Sequence, residues 1–366
     1  MTRVVLAPDS FKGTITAADA AASLAEGWAS VDPAADFVHR PMADGGEGTV
    51  AAFAAAVAGA RWMPVVVDGP AGVPVETSWL LLPPSAEAPG GTAVVDLAST
   101  SGIELLDELR PWHADTTGFG QAIAAALDHG ITRLVVGIGS SASTDGGTGM
   151  LSALGARFVD DSGASVAPGA RGLADIASVD LSALRTPPHV RVLTDVTNPL
   201  VGHRGAAAVF GPQKGLTGTD IPQVDAELAR LADLLSLDPA LPGSGAAGGT
   251  GGALVVWGAT LAPGAAEVAE LIGLADAIAD ADIVITGEGS YDGQSGDGKV
   301  PSFIAGLAAA TGATTLLAAG RITADSDTAL FAASASLTEI AGSSDAALAE
   351  PARWLREAGA LLARSV

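Results

Sequence analysis

GFGQAIAAALDHG (residues 118–130), TRLVVGIG (132–139), SSASTDGG (140–147) and TGMLSALGA (148–156) follow one another almost without a break. The first and last stretches carry apolar residues at helical spacing, the second is a short β-branched run, and the third is a turn closed by two glycines. Helix, strand, loop and helix in this order form a βα alternation, which builds parallel sheets through right-handed crossovers. The same pattern extends outward. RVVLA (3–7), RVLTDV (191–196), ADIVITGEG (281–289) and ATTLLAAG (313–320) read as buried strands of the parallel type. Thr16, with Asp19 three residues on, caps a helix expected over 17–29, and Val224, Leu228, Leu231 and Leu235 mark another over 220–235. DFVHRPMA (36–43) reads as an edge strand, 49–58 as an Ala-rich helix and 345–363 as the closing helix.

The stretch 62–98 differs, because WMPVVVDG, VETSWLLLP and TAVVDLA are strand-like and separated by turns with no helix between them. That argues for a separate, mostly antiparallel lobe. The expected architecture is α/β in two domains. A discontinuous, doubly wound parallel sheet takes 1–60, 115–185 and 270–366, and an inserted mixed α/β lobe takes 61–114 and 186–269.

Composition narrows the function. The chain has 366 residues, 48% of them hydrophobic, enough for two cores despite a net charge of −23. It has no cysteine, so disulfides and thiolate metal sites are excluded, and its five histidines lack metal-ligand spacing. No run is long enough for a membrane span or a signal segment, so a soluble cytoplasmic protein is expected. The acidic balance argues against nucleic acid as a partner. With three lysines in the chain, Lys12, Lys214 and Lys299, an anionic substrate has few cations to meet it.

In open α/β sheets ligands bind beyond the carboxyl ends of the strands. APDSFKG (7–13), DGGEG (44–48), GSSASTDGG (139–147), TDVTNPL (194–200) and TGEGSYDG (286–293) all stand where strands are expected to end. Four combine glycine, which lets backbone N–H groups approach an anion, with an acid that can hold Mg²⁺ or accept a hydroxyl proton; TDVTNPL offers the acid and an amide without glycine. A single Gly-Asp pair is usually a turn; five such segments point to phosphate chemistry. Two nucleotide motifs are only approached. GQSGDGKV (293–300) lacks the Ser/Thr of a P-loop, and GSGAAG (243–248) follows no strand.

VVLAPDSFKGT (4–14), PMADGGEGT (41–49), GIGSSASTDGGTGML (137–151), LTDVTNPLVG (193–202), AVFGPQKG (208–215) and DIVITGEGSYDGQSGDGKVP (282–301) resemble, in order, the signature blocks of bacterial type-1 glycerate kinases. The resemblance implies ATP and Mg²⁺ as cofactors, D-glycerate as acceptor, and a flavodoxin-like domain beside a restriction-enzyme-like one. It departs from the family pattern at Ser140, where glycine is usual, and at Ser290, where arginine is common. On this reading Asp195, Lys12, Asp44 and Lys214 are the catalytic candidates, with Asp195 preferred to Asp44 as base. Gly139, Ser141, Asp145, Gly146, Gly147, Glu288 and Lys299 are candidates for holding the nucleotide, and Asp195 and Asp292 for holding the metal. The chain is expected as a monomer or homodimer. Rival readings are a kinase for another small hydroxy acid, a non-catalytic sensor of nucleotide or sugar acid, and a metal-dependent phosphatase.

Overall fold

The computed structural model describes residues 1–11, 13–46, 48–292 and 299–366. Among these the strands are, in chain order, β1 (Arg3–Pro8), β2 (Asp36–His39), β3 (Arg61–Asp68), β4 (Pro74–Leu82), β5 (Thr92–Asp96), β6 (Arg133–Gly137), β7 (Arg157–Val159), β8 (Ser178–Asp180), β9 (His189–Leu193), β10 (Thr260–Ala262), β11 (Ile283–Tyr291), β12 (Thr314–Ile322) and β13 (Ala333–Ser336). They belong to two compact units. The first comprises Met1–Asp44, Ala51–Ala58 and Gly264–Val366, and the second Gly45–Val50 and Gly59–Pro263.

The first unit is built on a five-stranded sheet in the order β13-β12-β11-β1-β2, parallel throughout. Val4, Leu6, Ile283, Ile285 and Leu316 are buried with Leu24 and Leu355 from two helices in one core. Strands covered on both faces have no polar side, which is why they read as unbroken apolar runs. The helix Ala17–Ala29 starts as its sequence indicates: Asp19 N donates to Thr16 Oγ1 at 3.1 Å, and Thr16 Oγ1 donates to the Asp19 carboxylate at 2.8 Å. It crosses the helix Pro351–Ala363 at backbone contact. A Cβ on Gly27 would lie 1.9 Å from Arg356 O, and one on Gly359 2.3 Å from Leu24 O. The single closing helix expected over 345–363 is instead two, Ser344–Ala349 and Pro351–Ala363. Pro351 has no N–H to carry the first helix onward and suits the opening turn of the second.

The second unit holds a six-stranded mixed sheet, β10-β9-β6-β5-β4-β3. Here β3, β4 and β5 run antiparallel in sequence, and β5, β6, β9 and β10 run parallel. A small hairpin joins β7 and β8. This corrects the expected domain plan, which put 115–185 with the N- and C-terminal strands. Val135 of β6 is paired with Val94 on one side and Arg191 on the other. The βα alternation was legible in the sequence, but a central strand's choice of sheet depends on partners distant in the chain. All of β6 is buried. Phe119, Ile123, Leu134, Val136, Met150 and Leu228 share one core around it.

Candidate active site

The parallel strands β5, β6 and β9 end at Asp96, Gly137 and Leu193, and the loops beyond them are tied together within the second unit. Gly139 lies directly under the chain at 45–46: its Cβ would stand 2.8 Å from Gly46 Cα, and its N–H donates to Gly45 O at 3.4 Å.

Asp145 is fully buried at the centre of the next loop. One carboxylate oxygen accepts from Ser143 Oγ at 3.1 Å and Gly147 N at 3.1 Å. The other accepts from Thr116 N at 3.0 Å, Thr116 Oγ1 at 2.8 Å and Gly149 N at 3.2 Å. Thr116 Oγ1 in turn accepts from Met150 N at 2.9 Å. The starts of two helices, Thr117–His129 and Thr148–Ala153, are thereby fastened to one side chain. Their unsatisfied N–H groups and positive dipole ends suit a carboxylate. Asp145 was expected to face a bound nucleotide, but its acceptor capacity is taken up by the protein. It organises the loop from inside.

Lys214 is likewise turned inward. It is 2% exposed and its Nζ donates to Ser141 Oγ and to Ser143 O, each at 2.6 Å. Burial pushes its ammonium down to about 7, with the charge of Asp145 pulling the other way. Next to this network, Asp115 is raised to about 6, chiefly by burial, with the charges of Asp145 and Asp68 adding and hydrogen bonding from Thr117 opposing. The pair Asp115-Thr116 escaped the sequence reading, although Asp-Thr-Thr ahead of a helix is a capping signal.

The glycine-rich stretch 243–252 lies against this loop. Gly146 N donates to Gly248 O at 3.0 Å, and a Cβ on Gly248 would fall 2.1 Å from Ser143 O. Gly146 and Gly147 have left-handed backbones, with φ of 64° and 75°. Close packing of loop on loop therefore accounts for glycines that the sequence suggested were reserved for phosphate. Ser140 stands exposed beside them at φ 57°, the left-handed conformation for which glycine is the usual residue. Asp195 stands exposed two residues beyond β9.

In the first unit, β11 carries Glu288 and leads into Asp292. Glu288 is half-buried, and Lys299 Nζ lies 3.5 Å from Asp292 Oδ1. That carboxylate supplies the anion that a lysine at the start of the helix Val300–Ala309 calls for. Opposite Ser290 on β12 stands Arg321, whose guanidinium reaches to 3.5 Å from Ser290 Oγ. An arginine thus stands beside the position where the resemblance led us to expect one. Tyr291 is a core residue. Its hydroxyl donates to Asp327 O at 2.9 Å and its ring meets Phe331 edge-on. Asp44 is half-buried at the end of its segment. Lys12 lies outside the described residues, as does most of the 293–300 stretch.

Among the described residues no group of three or more His, Asp or Glu side chains could by itself hold a metal ion. Mg²⁺ needs no such cluster, because it takes one or two protein carboxylates and completes its shell with water and phosphate oxygens. No helix of the described residues is long and apolar enough to cross a membrane.

Comparison with known proteins places the chain in a family. A model of the glycerate kinase family matches residues 4–366. A glycerate kinase of Bacillus subtilis is 40% identical over 336 residues, 89% of this chain and 86% of that protein. A glycerate 2-kinase of Escherichia coli is 40% identical over 320 residues, 84% of this chain and 82% of that protein. A crystal structure assigned as glycerate kinase 2 from Salmonella typhimurium LT2 superposes with a TM-score of 0.86 at 38% identity, covering 99% of this chain and 97% of that one.

Proposed function

Because the chain belongs to the glycerate kinase family, we propose that it transfers the γ-phosphoryl group of ATP to the 2-hydroxyl of D-glycerate. The observation that carries the chemical part of this reading is the rim of β6 and β9. There, backbone N–H groups, serine hydroxyls and an exposed carboxylate follow parallel strands, with two glycine-rich loops locked together behind them. Phosphoryl transfer asks for positioning and charge neutralisation more than covalent chemistry, and a rigid loop of this kind offers both. The name of the Escherichia coli relative supports the 2-hydroxyl as the acceptor.

The loop 139–147 serves the phosphates of ATP at its opening, where the backbone of Gly139 and Ser140 is accessible and the Ser141 side chain follows. Asp195 accepts the proton of the attacked hydroxyl; its exposure leaves it accessible to a small acid. Asp44 is the alternative base. Mg²⁺, when bound, would neutralise charge on the phosphate oxygens, with Asp195 of the second unit or Asp292 of the first as the residue to hold it. Lys299 and Arg321 bring positive charge to the end of β11, and Glu288 stands on the same strand. Lys12 keeps its proposed part as an anion clamp on the resemblance alone. The strand order of the first unit, 2-1-3-4-5 when its own strands are counted along the chain, supports a flavodoxin-like fold there. The restriction-enzyme-like description of the second unit rests on the resemblance.

The test is ADP release with Mg-ATP and D-glycerate, with the product resolved by ³¹P NMR. Acceptor-dependent turnover yielding 2-phosphoglycerate is expected; turnover only with another hydroxy acid, or none, would overturn the assignment. Asp195→Asn is expected to lower kcat by about two orders of magnitude or more with the fold intact. An active Asp195→Asn enzyme would remove Asp195 as the base and leave Asp44→Asn as the next variant.

A further inference from the structure

Lys214 ends a short turn, Pro212–Lys214, closed by Gly215 in the left-handed conformation. Its ammonium reaches back to a loop about 70 residues earlier in the chain and grips it at alternate residues, the Ser141 hydroxyl and the Ser143 carbonyl. The Ser143 hydroxyl continues the chain of bonds to Asp145, which in turn holds the two helix starts. Burying a lysine costs desolvation and side-chain freedom, so a buried ammonium is a poor device for stability alone. What it does here is fix the buried part of a loop that comes to the surface at Gly139 and Ser140.

We propose that Lys214 is a positioning residue, which acts on phosphoryl transfer through the loop 139–147 by holding Ser141 and Ser143 from the inside. This rests on the reading of that loop as the phosphate loop. It replaces the expectation that Lys214 itself touches the phosphoryl group.

Protonation of Lys214 decides what Ser141 can do. A charged ammonium only donates, so Ser141 Oγ accepts and keeps its own proton for an anion. A neutral amine has a lone pair, and the Ser141 hydroxyl then turns inward to fill it. Asp145 is the charged group acting on Lys214, and Asp115 lies beyond it in the field of Asp145 and Asp68. With the ammonium lowered to about 7, the outward donor is lost as pH rises through that value. A bound phosphate favours the charged form and moves the change to higher pH. The alkaline break in kcat/KM for ATP, which reports the free enzyme, therefore falls near neutrality, and the break in kcat falls higher. A lysine with a merely structural role would not separate the two.

The experiment uses the full chain as wild type, Lys214→Met, Lys214→Arg and Ser141→Ala. Amide hydrogen exchange of peptides spanning 139–147, which needs no turnover, is expected to quicken about tenfold in Lys214→Met while peptides from β1 and β11 stay unchanged. Unchanged exchange in 139–147 overturns the proposal whether or not the chain proves to be a kinase; if KM for ATP rises as well, Lys214 is a direct ligand contact. In turnover, Lys214→Met is expected to lose about 100-fold in kcat. Lys214→Arg should recover part of that loss without the break near pH 7. Ser141→Ala should lower kcat with little change in KM for D-glycerate. Should the Lys214 variants fail to fold, Ser141→Ala with an unaltered kcat and pH profile refutes the proposal. Absence of turnover in the wild type sinks the kinase reading and leaves the exchange measurement, or binding of ATP to Ser141→Ala if Lys214→Met is unfolded, to decide on Lys214.

Discussion

Replacing Asp145 by asparagine removes one charge and changes one oxygen to NH₂ in a fully buried site. The amide has two orientations. With nitrogen in place of the oxygen facing Thr116 and Gly149, two backbone donors, Thr116 N and Gly149 N, would point at a donor. With nitrogen in the other place, only Gly147 N does so, because the Ser143 hydroxyl can rotate to accept. The second orientation wins. It leaves one orphaned N–H, costing about 2 kcal/mol, and three bonds from Thr116 and Gly149 stripped of charge assistance, costing about 1 kcal/mol each. Release from burying a carboxylate offsets about 2 kcal/mol of this. The net expectation is a loss of about 3 kcal/mol from the second unit. Urea unfolding, followed by fluorescence of Trp79 and Trp257 in that unit's core and by circular dichroism, reads it as a lower midpoint at unchanged slope. A loss under about 0.5 kcal/mol would refute the account of Asp145 as the fastening of two helix starts.

Other consequences concern single positions. Ser140→Gly relieves a left-handed serine at a cost in chain entropy, and a net gain of about 0.5–1 kcal/mol is expected in thermal or urea unfolding; a loss would deny strain at Ser140. Gly359→Ala puts a methyl group 2.3 Å from Leu24 O and should destabilise the first unit by about 1–3 kcal/mol, read as a fall in Tm. Asp115 holds its proton up to about pH 6 in the fold against 3.8 ordinarily, so its contribution to stability is present below pH 3.8 and lost as pH rises through 6. Asp115→Asn should therefore gain on the wild type between pH 4 and 7, by about 2 kcal/mol; a pH-independent difference would contradict the shift. For Lys214 the folded value lies below the unfolded 10.5, so its contribution is present above that value and is lost as pH falls through about 7. The stability difference between wild type and Lys214→Met should change across pH 7–10, in the wild type's favour as pH rises.

Much of the local structure was determined by the sequence itself. The Thr16 cap, the apolar runs of β1, β11 and β12, and the turn glycines of the 139–147 loop are signals carried within a few residues, and the structure realises them where they stand. The family resemblance was legible for the same reason, since its blocks are contiguous stretches. What the sequence could not convey was which sheet would take β6, because strand pairing is settled by partners far along the chain. Nor could it tell an acid or a lysine facing a ligand from one facing inward. Asp145 and Lys214 looked like ligands for phosphate beside glycine, and only the tertiary structure revealed that their neighbours across the loops consume them. Local chemistry follows from residue type and spacing, whereas burial and hydrogen-bond partnership follow from the fold as a whole.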